Sequence, residues 1–231
     1  MATIREHVYD TRGQLAEALA AGVAAVLAGG IATRGRAALA VSGGSTPALF
    51  FAYLSQAEID WPSVTILLVD ERYVPDDTDR SNAKLVRENL MIGPASEATF
   101  VPVWRPGVTP ETAAEEVARA IDGFEEGVDA LILGMGTDGH TASFFPQGDT
   151  YARATNPNED ELVLPLETPE QPETRVTVTM PVIQHAHFLA LHIEGNEKRE
   201  VFEAARQGNE LPISLVLGVV DELQLFWTAQ N

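Results

Sequence analysis

Leu131-Ile132-Leu133-Gly134-Met135-Gly136-Thr137-Asp138-Gly139-His140-Thr141-Ala142-Ser143-Phe144-Phe145-Pro146 turns from wholly apolar to glycine-rich and polar within a few residues. Its lead-in, Ala130–Leu133, is a short apolar run of the kind that forms a strand buried on both faces, as in a parallel sheet. Gly134, Gly136 and Gly139 then allow tight turns and a close approach of backbone to ligand. Asp138 and His140 flank the last of these glycines. In parallel α/β sheets ligands bind in the crevice at the carboxyl ends of the strands, so an Asp-Gly-His at such an end marks a candidate active site. The plainer reading is an ordinary turn between a strand and a helix. Gly134-x-Gly136-x-x-Gly139 also has the form of a dinucleotide fingerprint. That motif needs a helix opening at the third glycine and an acid about 20 residues on; here His140 follows at once and Pro146 soon after.

Working outward, the same arrangement recurs upstream. Ala37–Val41 is apolar throughout and reads as a central strand. It runs into Ser42-Gly43-Gly44-Ser45-Thr46-Pro47 and then a helix over 48–54, with Pro47 suited to the first helical position. Loop N–H groups and the hydroxyls of Ser45 and Thr46 suit a phosphate, although a simple helix-capping turn has the same look. No Gly-Lys-Ser/Thr is present, so this is not an NTPase P-loop. Val64–Val69 reads as a third buried strand and ends in Asp70-Glu71-Arg72. Charges crowded there are costly unless paired or exposed, and they read either as a surface ion-pair cluster or as part of a site.

The remaining elements fill in an alternating pattern. Ile4–Tyr9 is an edge strand, followed by an Ala- and Leu-rich helix from Gln14 to about Leu27 that Gly29 and Gly30 are expected to stop. Ser81 opens a helix from Asn82, Thr99–Trp104 is a short strand, and Thr109 caps a helix to about Ile121. Tyr151–Thr174, rich in Pro, Asn, Glu and Thr, reads as a long excursion forming a lid or wall. Arg175–Met180 alternates as a strand, with Arg175 at its start. Phe188–Ile193 is another strand, and the helix after it carries Lys198 in its first turn, which is unfavourable for the helix dipole and hints at a local anion. Leu211–Leu217 and Leu223–Trp227 are read as the last strands. The expected fold is a single α/β domain over 1–231, three-layer α/β/α with a parallel-dominated sheet, Rossmann-like.

Composition narrows the function. With 231 residues, 45% hydrophobic, the chain can bury a sizeable core. It has no uninterrupted run of 18 apolar residues and no evident secretory signal, so no membrane span is expected and a cytoplasmic location is. Zero cysteines exclude disulfides and thiolate chemistry. A net charge of −19 with no basic patch argues against nucleic acid as a partner. An anionic substrate would need a local cluster of basic groups drawn from only 15 Lys and Arg. His185, His187 and His192 resemble metal-ligand spacing only superficially, and no metal is expected.

Taken together, Ser42–Pro47, Asp70-Glu71-Arg72, Ser81-Asn82 and the Gly134–Pro146 block resemble the 6-phosphogluconolactonase family in order and spacing over nearly the whole chain. The Ser-Gly-Gly-Ser-Thr-Pro loop alone is shared with glucosamine-6-phosphate deaminases. In those enzymes the residues after Asp-Gly-His resemble Ile-Ala-Phe-Asn-Glu-Pro, and Asp-Glu-Tyr stands in place of Asp70-Glu71-Arg72. The resemblance implies hydrolysis of a phosphorylated sugar lactone without redox or organic cofactor, by a monomer or weak homodimer. It implies His140 as general base, Arg72 as oxyanion partner, Asp70 fixing Arg72 or the water, and Asp138 orienting His140 or its loop. It also implies a substrate subsite of Gly43, Gly44, Ser45, Thr46, Asn82, Arg175 and Lys198. Thr168–Thr174, just before Arg175, is more acidic than the family's pattern. A sugar-phosphate sensor without catalysis is the rival reading from another functional class.

Overall fold

The computed structural model describes residues 2–124 and 126–230. In chain order the elements are β1 (Thr3–Tyr9), α1 (Arg12–Arg34), β2 (Ala37–Val41), α2 (Ala48–Leu54), β3 (Val64–Leu68), β4 (Asp70–Arg72), α3 (Asn82–Asn89), β5 (Thr99–Phe100), α4 (Pro110–Asp122) and β6 (Ala130–Leu133). They continue as α5 (Tyr151–Ala154), β7 (Val163–Leu166), β8 (Arg175–Val178), α6 (Met180–Gln184), β9 (Phe188–Glu194), α7 (Asn196–Arg206), α8 (Pro212–Val219) and β10 (Glu222–Thr228). Seven strands form one sheet in the order β1-β10-β9-β6-β2-β3-β5, every neighbouring pair parallel. Helices cover it, giving the expected α/β architecture. β2 and β6 are buried at every position, as strands covered on both faces must be. A smaller antiparallel sheet, β4-β8-β7, stands beside the carboxyl end of the large one.

The chain winds from β2 to β3 and β5 on one side, and from β6 to β9 and β10 on the other. The strand order therefore reverses between β2 and β6. Loops on either side of such a reversal diverge and leave a crevice. Four connections line up along it, in the spatial order β9, β6, β2, β3: Gly195 and α7, Gly134–Pro146, Ser42–Pro47, and Asp70–Arg72.

Several sequence expectations change. α1 does not stop at Gly29–Gly30 but runs to Arg34, ended by Gly35 in the left-handed conformation at φ 75°. Gly30 lies inside the helix because a side chain there would meet the buried Asp129 carboxylate at 2.2 Å. α1 is also long and apolar enough, by composition, to cross a membrane. Its Leu15, Leu19, Val23 and Leu27 are instead fully buried in the core of this fold. Pro47 is the N-cap of α2 rather than its first helical residue. The third strand ends at Leu68, and Asp70–Arg72 belongs to the second sheet. Thr99–Trp104 keeps only Thr99–Phe100 as strand, and β8 ends at Val178. The long excursion contains α5 and β7. Leu211–Leu217 is a helix, not a strand. Its buried positions, Pro212, Ile213, Val216 and Leu217, follow a helical face, and Ser214 Oγ donates back to the Leu211 carbonyl at 2.6 Å. Short apolar runs carry no period that separates the two states.

Candidate active site

A cleft of about 270 Å³ opens at this reversal, at the small end of the range for ligand pockets. Adjacent strands hold its walls together. Ser42 N donates to Ile132 O at 3.0 Å, Gly134 N to Ser42 Oγ at 3.1 Å, and Thr141 Oγ1 to Gly134 O at 2.8 Å. Gly43, Gly44, Ser45, Thr46, Asp70, Arg72, Asn82, His140, Arg175 and Lys198 all line it. Of the expected site residues only Asp138 stands behind this lining, and it touches His140 directly.

His140 and Asp138 form a dyad. Asp138 Oδ1 lies 2.6 Å from His140 Nδ1 and accepts from His140 N at 3.2 Å. Asp138 thus orients both the ring and its loop. With Nδ1–H donated to the carboxylate, Nε2 carries the lone pair. Burial pushes the Asp138 carboxyl up, but the charge and hydrogen bonds of His140 outweigh it and hold the group below the usual aspartate value. The Phe145 ring packs on the imidazole with centroids 4.8 Å apart. Gly136 is required here, since a side chain at this position would come within 2.4 Å of both His140 Nδ1 and Asp138 Oδ1.

Arg72 and Arg175 sit directly opposite each other across β4 and β8. Like charges so placed are destabilising, and among the described residues neither forms an ion pair. Arg72 Nη1 donates to Arg80 O at 2.8 Å and Asn82 Oδ1 at 3.1 Å. Arg175 Nη2 donates to Gln171 Oε1 at 2.7 Å, and its guanidinium lies 5.6 Å from the Phe145 centroid. The Nε of each is buried without a partner. Burial works against the Arg175 charge and the field of Asp70 supports it, while the guanidinium keeps its proton throughout the working range. Two uncompensated guanidiniums in a protein of net charge −19 form a ready receptor for an anion. No residue of the acidic segment before Arg175 forms an ion pair with either guanidinium among the described residues: Glu173 Oε2 accepts from Arg80 Nη2 at 2.8 Å, with its field also reaching Arg175 and Arg72, and Glu170 Oε1 accepts from Gln147 at 3.1 Å.

Asp70 makes no side-chain hydrogen bond or ion pair to the Arg72 guanidinium among the described residues; its carboxylate accepts from Ser143 Oγ at 2.6 Å. Asn82 lines the cleft, but its carboxamide is engaged at both ends, donating to Asp70 O at 2.8 Å and accepting from Arg72. These bonds tie Asn82 to Asp70 and Arg72 at the cleft wall. Ser45 and Thr46 have no side-chain hydrogen bond among the described residues and remain open toward the cleft.

Lys198 is half-buried at the first turn of α7, whose N-cap Gly195 offers no side chain to the free N–H groups. Burial pushes its ammonium below the ordinary lysine value, with Glu194 and Glu197 opposing. A phosphate dianion beside it would reverse that shift. Binding of a phosphorylated ligand at alkaline pH, between the lowered and the ordinary lysine value, should therefore take up a proton. Calorimetry in two buffers of different ionisation heat would read that uptake, and Lys198→Met should abolish it. Proton-neutral binding throughout that window would place the anion elsewhere.

Glu71, Ser143, Gln171 and His192 carry no assigned site role in the sequence. Glu71 is 1% exposed between the half-buried Asp70 and Arg72, and a period-2 reading of Asp-Glu-Arg would have found it. His192 is 3% exposed at the cleft floor, with Nε2 3.4 Å from Glu194 Oε1. Burial pushes its ring below the ordinary histidine value, so it stays neutral. No cluster of three or more His, Asp or Glu side chains suited to a metal ion occurs among the described residues.

A switch-point crevice with a His–Asp dyad at one wall and unpaired cations at the others defines an α/β protein equipped for proton transfer on a small anionic ligand. The chain belongs to the glucosamine-6-phosphate isomerase/6-phosphogluconolactonase family, whose model matches residues 10–227. It is 46% identical over 225 residues to a 6-phosphogluconolactonase of Rhizobium meliloti, covering 96% of this chain and 97% of that protein. Over 215 residues it is 39% identical to one from Neisseria meningitidis, covering 91% and 93%. The crystal structure of a 6-phosphogluconolactonase from Shewanella baltica superposes with a TM-score of 0.90 at 33% identity, covering 99% of this chain and 98% of that one.

Proposed function

We propose that this chain hydrolyses 6-phospho-D-glucono-1,5-lactone to 6-phospho-D-gluconate, the second step of the oxidative pentose phosphate pathway, as a cytoplasmic carboxylic ester hydrolase. The observation that carries the reading is that the His140–Asp138 dyad and the unpaired Arg72–Arg175 couple face one cleft. The names of the relatives support the lactone as substrate. His140 Nε2 takes a proton from water as the oxygen attacks C1. The carbonyl electron pair moves onto oxygen, and the Arg72 guanidinium stabilises that charge. Collapse of the tetrahedral intermediate breaks the C1–O5 bond, and the imidazolium returns its proton to O5. The products are a carboxylic acid, which ionises, and an open-chain hydroxyl. Ser45, Thr46, Arg175 and Lys198 hold the phosphate, while Asn82 and Asp70 keep the site in shape. No cofactor or metal is needed for these steps.

The double substitution Ser45→Ala with Thr46→Ala tests the phosphate subsite. It should raise KM for the phosphorylated lactone by at least about tenfold, since a charge-assisted hydrogen bond is worth about 1.5–3 kcal/mol, and leave KM for unphosphorylated gluconolactone nearly unchanged. Equal effects on both substrates would remove the loop from phosphate binding.

A further inference from the structure

Glu71 is a buried carboxylate with no cationic partner among the described residues, 1% exposed at the junction of β4 and α3. Its Oε1 accepts from Arg72 N and Asn82 N, both at 2.8 Å. Its Oε2 accepts from Ser81 Oγ at 3.0 Å and Ala83 N at 2.7 Å. Burial pushes its carboxyl up against these four bonds, and the N-terminus of α3 favours the charge. As pure scaffolding this is an expensive choice, because a buried carboxylate without an ion-pair partner must recover its desolvation from hydrogen bonds alone. The bonds share a direction. Glu71 grips the backbone of Arg72 on one side and the first turn of α3 on the other. That turn presents Asn82 Oδ1 and, just before it, Arg80 O, the two acceptors that hold the Arg72 guanidinium at 3.1 and 2.8 Å. Arg72 is thus held at its root by Glu71 and at its tip by groups that Glu71 fixes.

We infer that Glu71 is a positioning residue which, through the capped turn at Ser81–Ala83, aims the Arg72 guanidinium into the cleft. The inference rests on the role proposed above for Arg72. In Glu71→Gln the carbonyl oxygen still accepts from Arg72 N and Asn82 N, but the new amide meets the Ala83 N–H donor to donor, so the turn shifts while most of the grip survives. A displacement of about 1 Å at a catalytic group is worth on the order of 10²-fold, and a loss of kcat/KM of up to this size is expected.

The decisive experiment is a double-mutant cycle with Arg72→Leu. If Glu71 acts through Arg72, adding Glu71→Gln to Arg72→Leu costs no more than about twofold further in kcat/KM. If Glu71→Gln lowers activity by the same factor in both backgrounds, or lowers Tm alone, the inference is overturned. Should Glu71→Gln fail to fold, Ser81→Ala removes one of the four bonds to Glu71, together with the Ser81 cap on Lys84 N, and should show the same dependence on Arg72 with a smaller loss. The Arg72 Nε–H resonance, assigned by its absence in Arg72→Leu, gives a readout independent of turnover. It moves in Glu71→Gln if the clamp holds and stays in place if it does not. An inactive wild type with a shifted resonance would thus reject the proposed reaction and keep the clamp.

Discussion

His140→Ala keeps its fold and loses on the order of 10²–10⁴ in kcat, the worth of a positioned general base. The expected size follows from the division of labour in the dyad. Asp138 binds Nδ1, so Nε2 is the atom left to accept a proton from water, and among the cleft-lining residues no second imidazole is free to replace it. His192 shares the cavity but is buried at its floor. The fold should tolerate the change because the His140 side chain is 31% exposed and that of Asp138 is 65% exposed. Truncation therefore strands no buried charge, and the Phe145 contact is the main packing loss. KM should move little, since the groups proposed to bind the phosphate are untouched. Near-wild-type turnover in a folded His140→Ala protein would remove His140 as the base.

Arg72→Leu should lower kcat by about 10²–10³, the usual effect of losing an oxyanion-stabilising donor, while 6-phosphogluconate still binds. Arg175, Lys198 and the Ser45–Thr46 hydroxyls, the groups proposed to hold the phosphate, remain. Stability should change by only about 1 kcal/mol, because two opposing terms act. Arg80 O and Asn82 Oδ1 lose a donor, and Arg175 loses the like charge opposite it. Calorimetry separates the roles. Retained product affinity with low kcat assigns Arg72 to the transition state, whereas lost affinity at normal kcat would make it a phosphate ligand.

Most of the architecture was legible because parallel strands buried on both faces read as continuous apolar runs. Ala37–Val41 and Ala130–Leu133 announced the two central strands, and the glycine-rich segments after them announced the crevice. The failures are of a different kind. Gly29 and Gly30 looked like a helix stop, but the packing of Gly30 against Asp129 is a tertiary fact with no local signal. Leu211–Leu217 was apolar in both candidate conformations, so only its neighbours decide that it is helical. The Asp70-Glu71-Arg72 crowd was read as one cluster, whereas a short strand splits it. Asp70 and Arg72 lie half-buried at the cleft, and Glu71 turns inward to cap α3. The cross-strand pairing of Arg72 with Arg175 joins residues about a hundred positions apart, and no spacing rule reaches that far.

The most direct test of the account is the rate of 6-phosphogluconate formation from lactone generated in situ by glucose-6-phosphate dehydrogenase, with and without this protein. The lactone hydrolyses spontaneously, so the protein-free blank sets the baseline. The account predicts a rate far above that blank for the wild type. A rate equal to the blank while 6-phosphogluconate still binds would make the chain a sugar-phosphate sensor, and turnover of glucosamine 6-phosphate in its place would assign it to the deaminase branch of the family. Either result would contradict the proposed function.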